Sequence, residues 1–172
     1  MFPMRRRSFF VVPLALAGDV GLAEVPALQP LDPALRWLDR LPHAGNVRTL
    51  GVWPLGAVLE HLAQSVEMSM DGYPRQRSRL LQDTAGSAAF AFFQWRGKMN
   101  HDLAEPIPGA PALTAIPDWR PGAQRLREAI VRFRNYNGEL KPHFAYGPLS
   151  KSEYALAHAM HIANHRDEIQ VA

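Results

Sequence analysis

Between residues 53 and 70, apolar side chains fall at Leu55, Val58, Leu59, Leu62 and Val66, the three-to-four spacing of a helix with one apolar face. Asp71-Gly72-Tyr73-Pro74 stops that pattern. Upstream, Asp32 as N-cap and Pro33 at the first helical position predict a short helix that ends before Pro42. The stretch 43–53 carries two glycines and Asn46 and predicts a loop. A long alanine-rich apolar run over 77–99 favours helix over strand, with Gly86 as its weak point. Residues 105–122 hold five prolines and predict an extended loop. The stretch 123–138 is amphipathic and is closed by Asn137-Gly138. Ser150, with Glu153 three residues on, forms a capping box that opens a last helix.

Four helices of some length, one short helix before them, no convincing strand and no internal repeat predict an all-α chain, a four-helix bundle with a long proline-rich loop. The 172 residues suit a single domain. A hydrophobic fraction of 47% and a charged fraction of 20% are those of a globular chain. The net charge of +3 is accounted for by Arg5, Arg6 and Arg7, and without them 16 Lys and Arg stand against 16 Asp and Glu. No cationic excess remains to bind a phosphate backbone, so nucleic acid is not an expected partner. The arginines of 120–134 alternate with Glu128 and apolar residues and predict a solvated helix face.

The opening 23 residues predict an address. A cationic start, an apolar run from Phe9 to Ala17 and small residues at cleavage spacing form a signal-peptide pattern, too short for a membrane-spanning helix. Arg6-Arg7-Ser8-Phe9-Phe10 resembles the twin-arginine export signal, which implies a periplasmic or other extracytoplasmic location. Ala15-Leu16-Ala17 and Gly21-Leu22-Ala23 both fit cleavage, and residues 24–172 form the expected mature domain.

With no cysteine in the chain, any metal would be held by nitrogen and oxygen. The last helix carries "HAMHIANHRDEI", with His158, His161 and His165. On a helix, His161 and His165 lie about 40° apart and one turn from each other, a spacing that suits one ion. His158 lies about 60° from His161 on the same side and is read as a neighbour. A third ligand must come from elsewhere, and His61 is the best candidate because it lies inside a helix. Its wheel position is about 130° from the apolar stripe, beside Ala57 and Ser65, small enough to leave room for an ion. Tyr154 and Glu168 share the arc of His161 and are candidates for acid–base or ligand-orienting work. His43 and His101 fall in loops and are not expected to ligate.

"WPLGAVLEHLAQSVEMSMDGYP", followed about a hundred residues later by "PHFAYGPLSKSEYALAHAMHIANHRDEI", resembles the DinB-like (DinB/YfiT-type) superfamily of bacterial metalloenzymes, in an uncharacterised branch. The resemblance covers roughly residues 30–170. It implies a DinB-like bundle with His61, His161 and His165 as ligands of a divalent ion such as zinc or nickel, and Arg166 following the last of them. It also matches His143 to a histidine of the branch's H-F-x-x-G-P-L-S turn, with an orienting or substrate-side role. Asn164 and Asp167-Glu168 depart from the wider superfamily's His-His-Arg-Gly-Gln ending. The implied activity is a transferase- or hydrolase-type reaction on a small molecule, and a homodimer is compatible with it. A non-catalytic metal- or ligand-binding bundle, or a bundle without metal, remain open on the residues alone.

Overall fold

The computed structural model describes residues 30–171, so the export signal expected at 1–23 lies outside the described residues. The fold is mostly helical. Its elements are α1 (Asp32–Arg40), a single 3-10 turn, β1 (Val47–Thr49), α2 (Leu55–Asp71), α3 (Arg79–Leu81), a π turn (Gln82–Gly86), α4 (Ser87–Arg96), α5 (Arg120–Asn135), α6 (Lys151–Arg166) and β2 (Ile169–Val171). Among the described residues no helix is long and apolar enough to cross a membrane.

α2 is the centre. Fourteen of its residues are buried, and these include His61, Gln64, Ser65 and Ser69 as well as the apolar stripe. A helix enclosed on all sides must satisfy its polar groups internally. Gln64 donates to the Pro111 carbonyl at 3.0 Å and the Ser69 hydroxyl to the Val66 carbonyl at 2.6 Å. The stripe itself meets α5: Leu59 and Leu62 share a core with Leu126, Ile130 and Phe133, to which α1 adds Trp37 and Leu38. The two helices approach closely because Gly122 has no side chain, since a Cβ there would lie 2.8 Å from the Gly56 carbonyl oxygen. On the outside, Arg125 grips Glu67 with two hydrogen bonds of 2.9 and 2.7 Å, Arg132 pairs with Asp71, Arg127 with Asp39 and Arg134 with Asp32. The arginine-rich stretch is thus a helix face whose cations meet carboxylates.

Several local expectations are refined. Asp32 occupies the first turn of α1, one position inside its cap at Leu31. The run over 77–99 is helical, but it is interrupted by the π turn that ends at Gly86. A Cβ on Gly86 would collide with the Ala145 carbonyl, so the weak point is where helix and the 143–147 turn touch. α5 ends at Asn135, with Tyr136 already extended, two residues before Asn137-Gly138. The capping box of α6 is complete: Ser150 Oγ accepts from the Glu153 amide, and Glu153 accepts from the Ser150 amide at 2.8 Å. The main addition is a small antiparallel sheet, in which Val47, Arg48 and Thr49 pair with Val171, Gln170 and Ile169.

α4 is held differently from the other long helices. Only Phe90 is buried on it, in a small cluster with Met99, Ala157 and Met160, while Phe92 and Trp95 face outward. Between α4 and the α2–α6 pair lies a cavity of about 220 Å³.

Candidate metal centre

His61 comes from the middle of α2, and His161 and His165 from the last two turns of α6. The three rings form a nearly equilateral cluster, with centroids 5.1, 5.1 and 5.0 Å apart. One nitrogen from each lies within 4.8 Å of the others. The Nε2 atoms of His61 and His161 face each other at 3.2 Å. Two nitrogens on a tetrahedral ion with bonds of about 2.0–2.1 Å would sit roughly 3.3 Å apart, so this spacing suits shared coordination.

Hydrogen bonds on the far sides of two of the rings orient them, while His61 Nδ1 is buried without a partner. His165 Nδ1 lies 2.7 Å from Glu168 Oε1, and the carboxylate accepts a hydrogen bond from that N–H. His165 Nε2 is then a lone pair, buried and without a hydrogen-bond partner. His161 Nδ1 lies 3.2 Å from Ser65 Oγ, which orients the ring the same way. Such partners on the outer nitrogen fix both tautomer and direction of a ligating imidazole.

Burial keeps these rings neutral. It pushes the pKa of His61 down to about 4 and that of His165 to about 3, with the neighbouring imidazoles adding to the effect, and holds His161 well below its ordinary value. The neutral ring is the form that binds metal. Glu168 is pushed the other way, upward, by its burial.

Glu168 is held by the small sheet. It directly precedes β2, its carbonyl accepts from the Leu50 amide at 2.8 Å, and its carboxylate lies against Gly51, where any side chain would collide with it. Trp53, from the same stretch, stacks parallel to His165 with 7° between planes and lies 5.1 Å from His61. Neither Trp53 nor Gly51 was singled out by the sequence, although both lie just before α2.

The other sequence candidates separate. His158 is fully buried beside the triad and lines the cavity, with burial pushing it down to about 3. His143 also lines the cavity, its Nδ1 accepting from the Ala145 and Tyr146 amides at 3.1 and 3.2 Å, so its Nε2 carries the proton. Tyr154 is enclosed in the core, gives its hydroxyl proton to the Lys141 carbonyl at 2.6 Å and does not line the cavity. His43 is exposed, far from the cluster in role.

His101 is the residue that sequence reasoning set aside and the fold brings in. Its ring centroid lies 4.8 Å from that of His161 and 5.3 Å from that of His165. Loop position alone gave no signal of this, because the placement depends on Met99 burying itself against α6.

The cavity reaches the centre at His61, His101 and His161, and His165 lies behind them. Its walls are largely apolar, with Phe93, Met99, Ile107 and Phe144 among them, and Arg77 faces Glu105 at 3.6 Å, both half exposed.

Residues 26–171 match the family described as a protein of unknown function, DUF1569. The chain belongs to that family. No curated protein and no solved structure matches it. Within this DUF1569 chain, buried His61 and His165 and half-buried His161 form a group able to hold a metal ion.

Proposed function

We propose that the protein is a divalent-metal-dependent enzyme that acts on a small molecule by transferase- or hydrolase-type chemistry, with zinc or nickel held by His61, His161 and His165. The observation that carries this reading is the convergence of three neutral imidazoles on one point at the wall of an apolar cavity. Three nitrogen ligands leave coordination positions for water or substrate, as catalytic sites do. A bound ion of this kind supplies Lewis acidity or an acidified water. The chain's own groups divide the remaining work. Glu168 and Ser65 orient His165 and His161, and the apolar walls exclude water. His143 offers its Nε2–H to an acceptor on the bound molecule. Tyr154 supports the wall of His158 and His143 from within the core.

The DinB-like relationship and the four-helix-bundle description of the long helices belong to the same proposal, supported by ligands placed on two facing helices. So does an extracytoplasmic location. A fusion of residues 1–29 to a reporter should be exported, and R6K/R7K should abolish export.

A second reading, metal or ligand binding without turnover, is favoured by the scarcity of acid–base groups other than histidine around the cavity. Metal analysis of untagged protein tests both readings: near one equivalent of zinc or nickel is expected, and its loss in His61→Ala. A turnover screen with thiol cofactors and hydrolysable esters or amides then separates them. Activity in wild type that His61→Ala lacks establishes the enzyme, and activity in neither establishes the binder.

A further inference from the structure

We infer that His101 is a fourth metal ligand, carried on a loop and displaced when a small molecule enters the cavity. The inference rests on the three-histidine reading and adds to it the residue that closes the site.

The tautomer is the first argument. His101 Nδ1 lies 2.8 Å from the carbonyl oxygen of Asp102, which only accepts, so Nδ1 holds the proton and Nε2 holds a lone pair. That Nε2 is buried and has no hydrogen-bond partner. A buried unpaired acceptor is costly, on the order of 1–3 kcal/mol, and calls for an explanation. A cation shared with the adjacent imidazoles provides one.

Placement is the second argument. The His101 ring is as close to His161 as the three triad rings are to one another, and it lines the cavity, whereas His165, 5.3 Å from it, does not. It therefore faces the coordination position that the triad leaves open. Its nitrogen is outside the tight group of three, so ligation draws the loop slightly inward.

The loop is built for a short movement. It is anchored on one side by buried Met99 and by Lys98, which pairs with Asp167 at 3.0 Å. Between these anchors and Glu105 it has no helix or strand, and an Asp102 carboxylate caps the Ala104 amide at 2.9 Å. Its outer side, at Asp102, Leu103 and Ala104, borders a surface depression next to Gly51 and Glu168, which leaves space for it to swing out. Four imidazoles would make a resting site closed to water. A molecule with a donor atom of its own, such as a thiolate, would replace His101 and occupy the cavity.

X-ray absorption on the zinc-loaded full chain counts the imidazoles directly. Four are expected in wild type and three plus an oxygen donor in His101→Ala, with zinc affinity weaker by about tenfold or more. His101→Gln, which keeps the loop polar, should match the alanine variant, and thermal unfolding of both apo variants should match wild type. Three imidazoles in wild type, with affinity unchanged in both variants, would overturn the role of His101 and leave the triad standing. No zinc bound by wild type would overturn both. With cobalt in place of zinc, 2-mercaptoethanol should change the visible spectrum of His101→Ala at concentrations at least tenfold lower than for wild type. Equal concentrations would show that nothing has to be displaced.

Discussion

The cavity has histidines at both ends, and the two ends are satisfied in opposite ways. At one end the acceptor nitrogen of His143 is satisfied within the protein, since two backbone amides of its own turn donate to Nδ1. At the other, His165 and His101 each present a buried nitrogen with no partner, while their outer nitrogens are engaged by Glu168 and by the Asp102 carbonyl. Burial holds both His143 and His165 neutral, so it does not distinguish the two ends. What distinguishes them is where the hydrogen bonds go: the His143 turn uses its imidazole to finish a backbone, and the proposed metal end uses carboxylate, hydroxyl and carbonyl to turn the rings inward.

That contrast is broken most severely by removing a ligand. His61→Ala or His165→Ala should lower zinc affinity at least a hundredfold in chelator competition. His143→Ala should leave affinity within a few fold and cost stability instead, about 1–3 kcal/mol in urea unfolding, because two buried amides lose their acceptor. If His143→Ala released the metal as readily, the two ends would be one site.

Next in size is the support of the ligands. Glu168→Gln should weaken zinc binding by about 10- to 100-fold, the usual consequence of altering a carboxylate behind a ligating histidine. Gly51→Ala should act in the same direction without touching a ligand, since its methyl group would push the Glu168 carboxylate away. Isothermal titration of both variants checks this, and an unchanged Gly51→Ala would separate the sheet from the centre.

Acid should then reach both ends. His61 titrates near 4, and His143, His158 and His165 near 3, against an ordinary value of 6.5. Below 6.5 the unfolded chain gains protons that the native one refuses, so the metal-free protein loses stability as pH falls toward 4. Above 6.5 these groups contribute nothing. The slope is on the order of 1 kcal/mol per pH unit for each histidine, and urea unfolding between pH 5 and 7 measures it. Saturating zinc should raise stability at pH 7 by about 2.7 kcal/mol at a hundred times its dissociation constant, and this increment should vanish on acidification.

The smallest effect belongs to Ser65→Ala, which removes one neutral hydrogen-bond partner from His161. A loss of a few fold in affinity is expected from a bond of about 1 kcal/mol.

How much of this was legible follows from how local each feature is. His161 and His165 are one turn apart on one helix, so their pairing is fixed by periodicity before any tertiary contact forms. His61 was found because it sits away from the stripe that meets α5, and in the structure that side of α2 meets α6. Wheel geometry places His61 away from the centre of the hydrophobic core, and it is nevertheless only 2% exposed because α2 is covered on both sides. His101 was missed since nothing periodic governs 97–119; its position follows from Met99 and the Lys98–Asp167 pair. The strands were missed for the same reason: three residues on each side, more than a hundred positions apart, carry no pattern of their own.

The two strands stand at the outer ends of the ligand-bearing helices, β1 shortly before α2 and β2 directly after Glu168. They close a ring of chain around the centre, so on the proposed metal site loss of the ion would be coupled to fraying of the sheet. Hydrogen exchange at the Leu50 amide, which is bonded to the Glu168 carbonyl, should accordingly slow when zinc is bound, and its opening rate should set the upper limit on how fast the ion leaves.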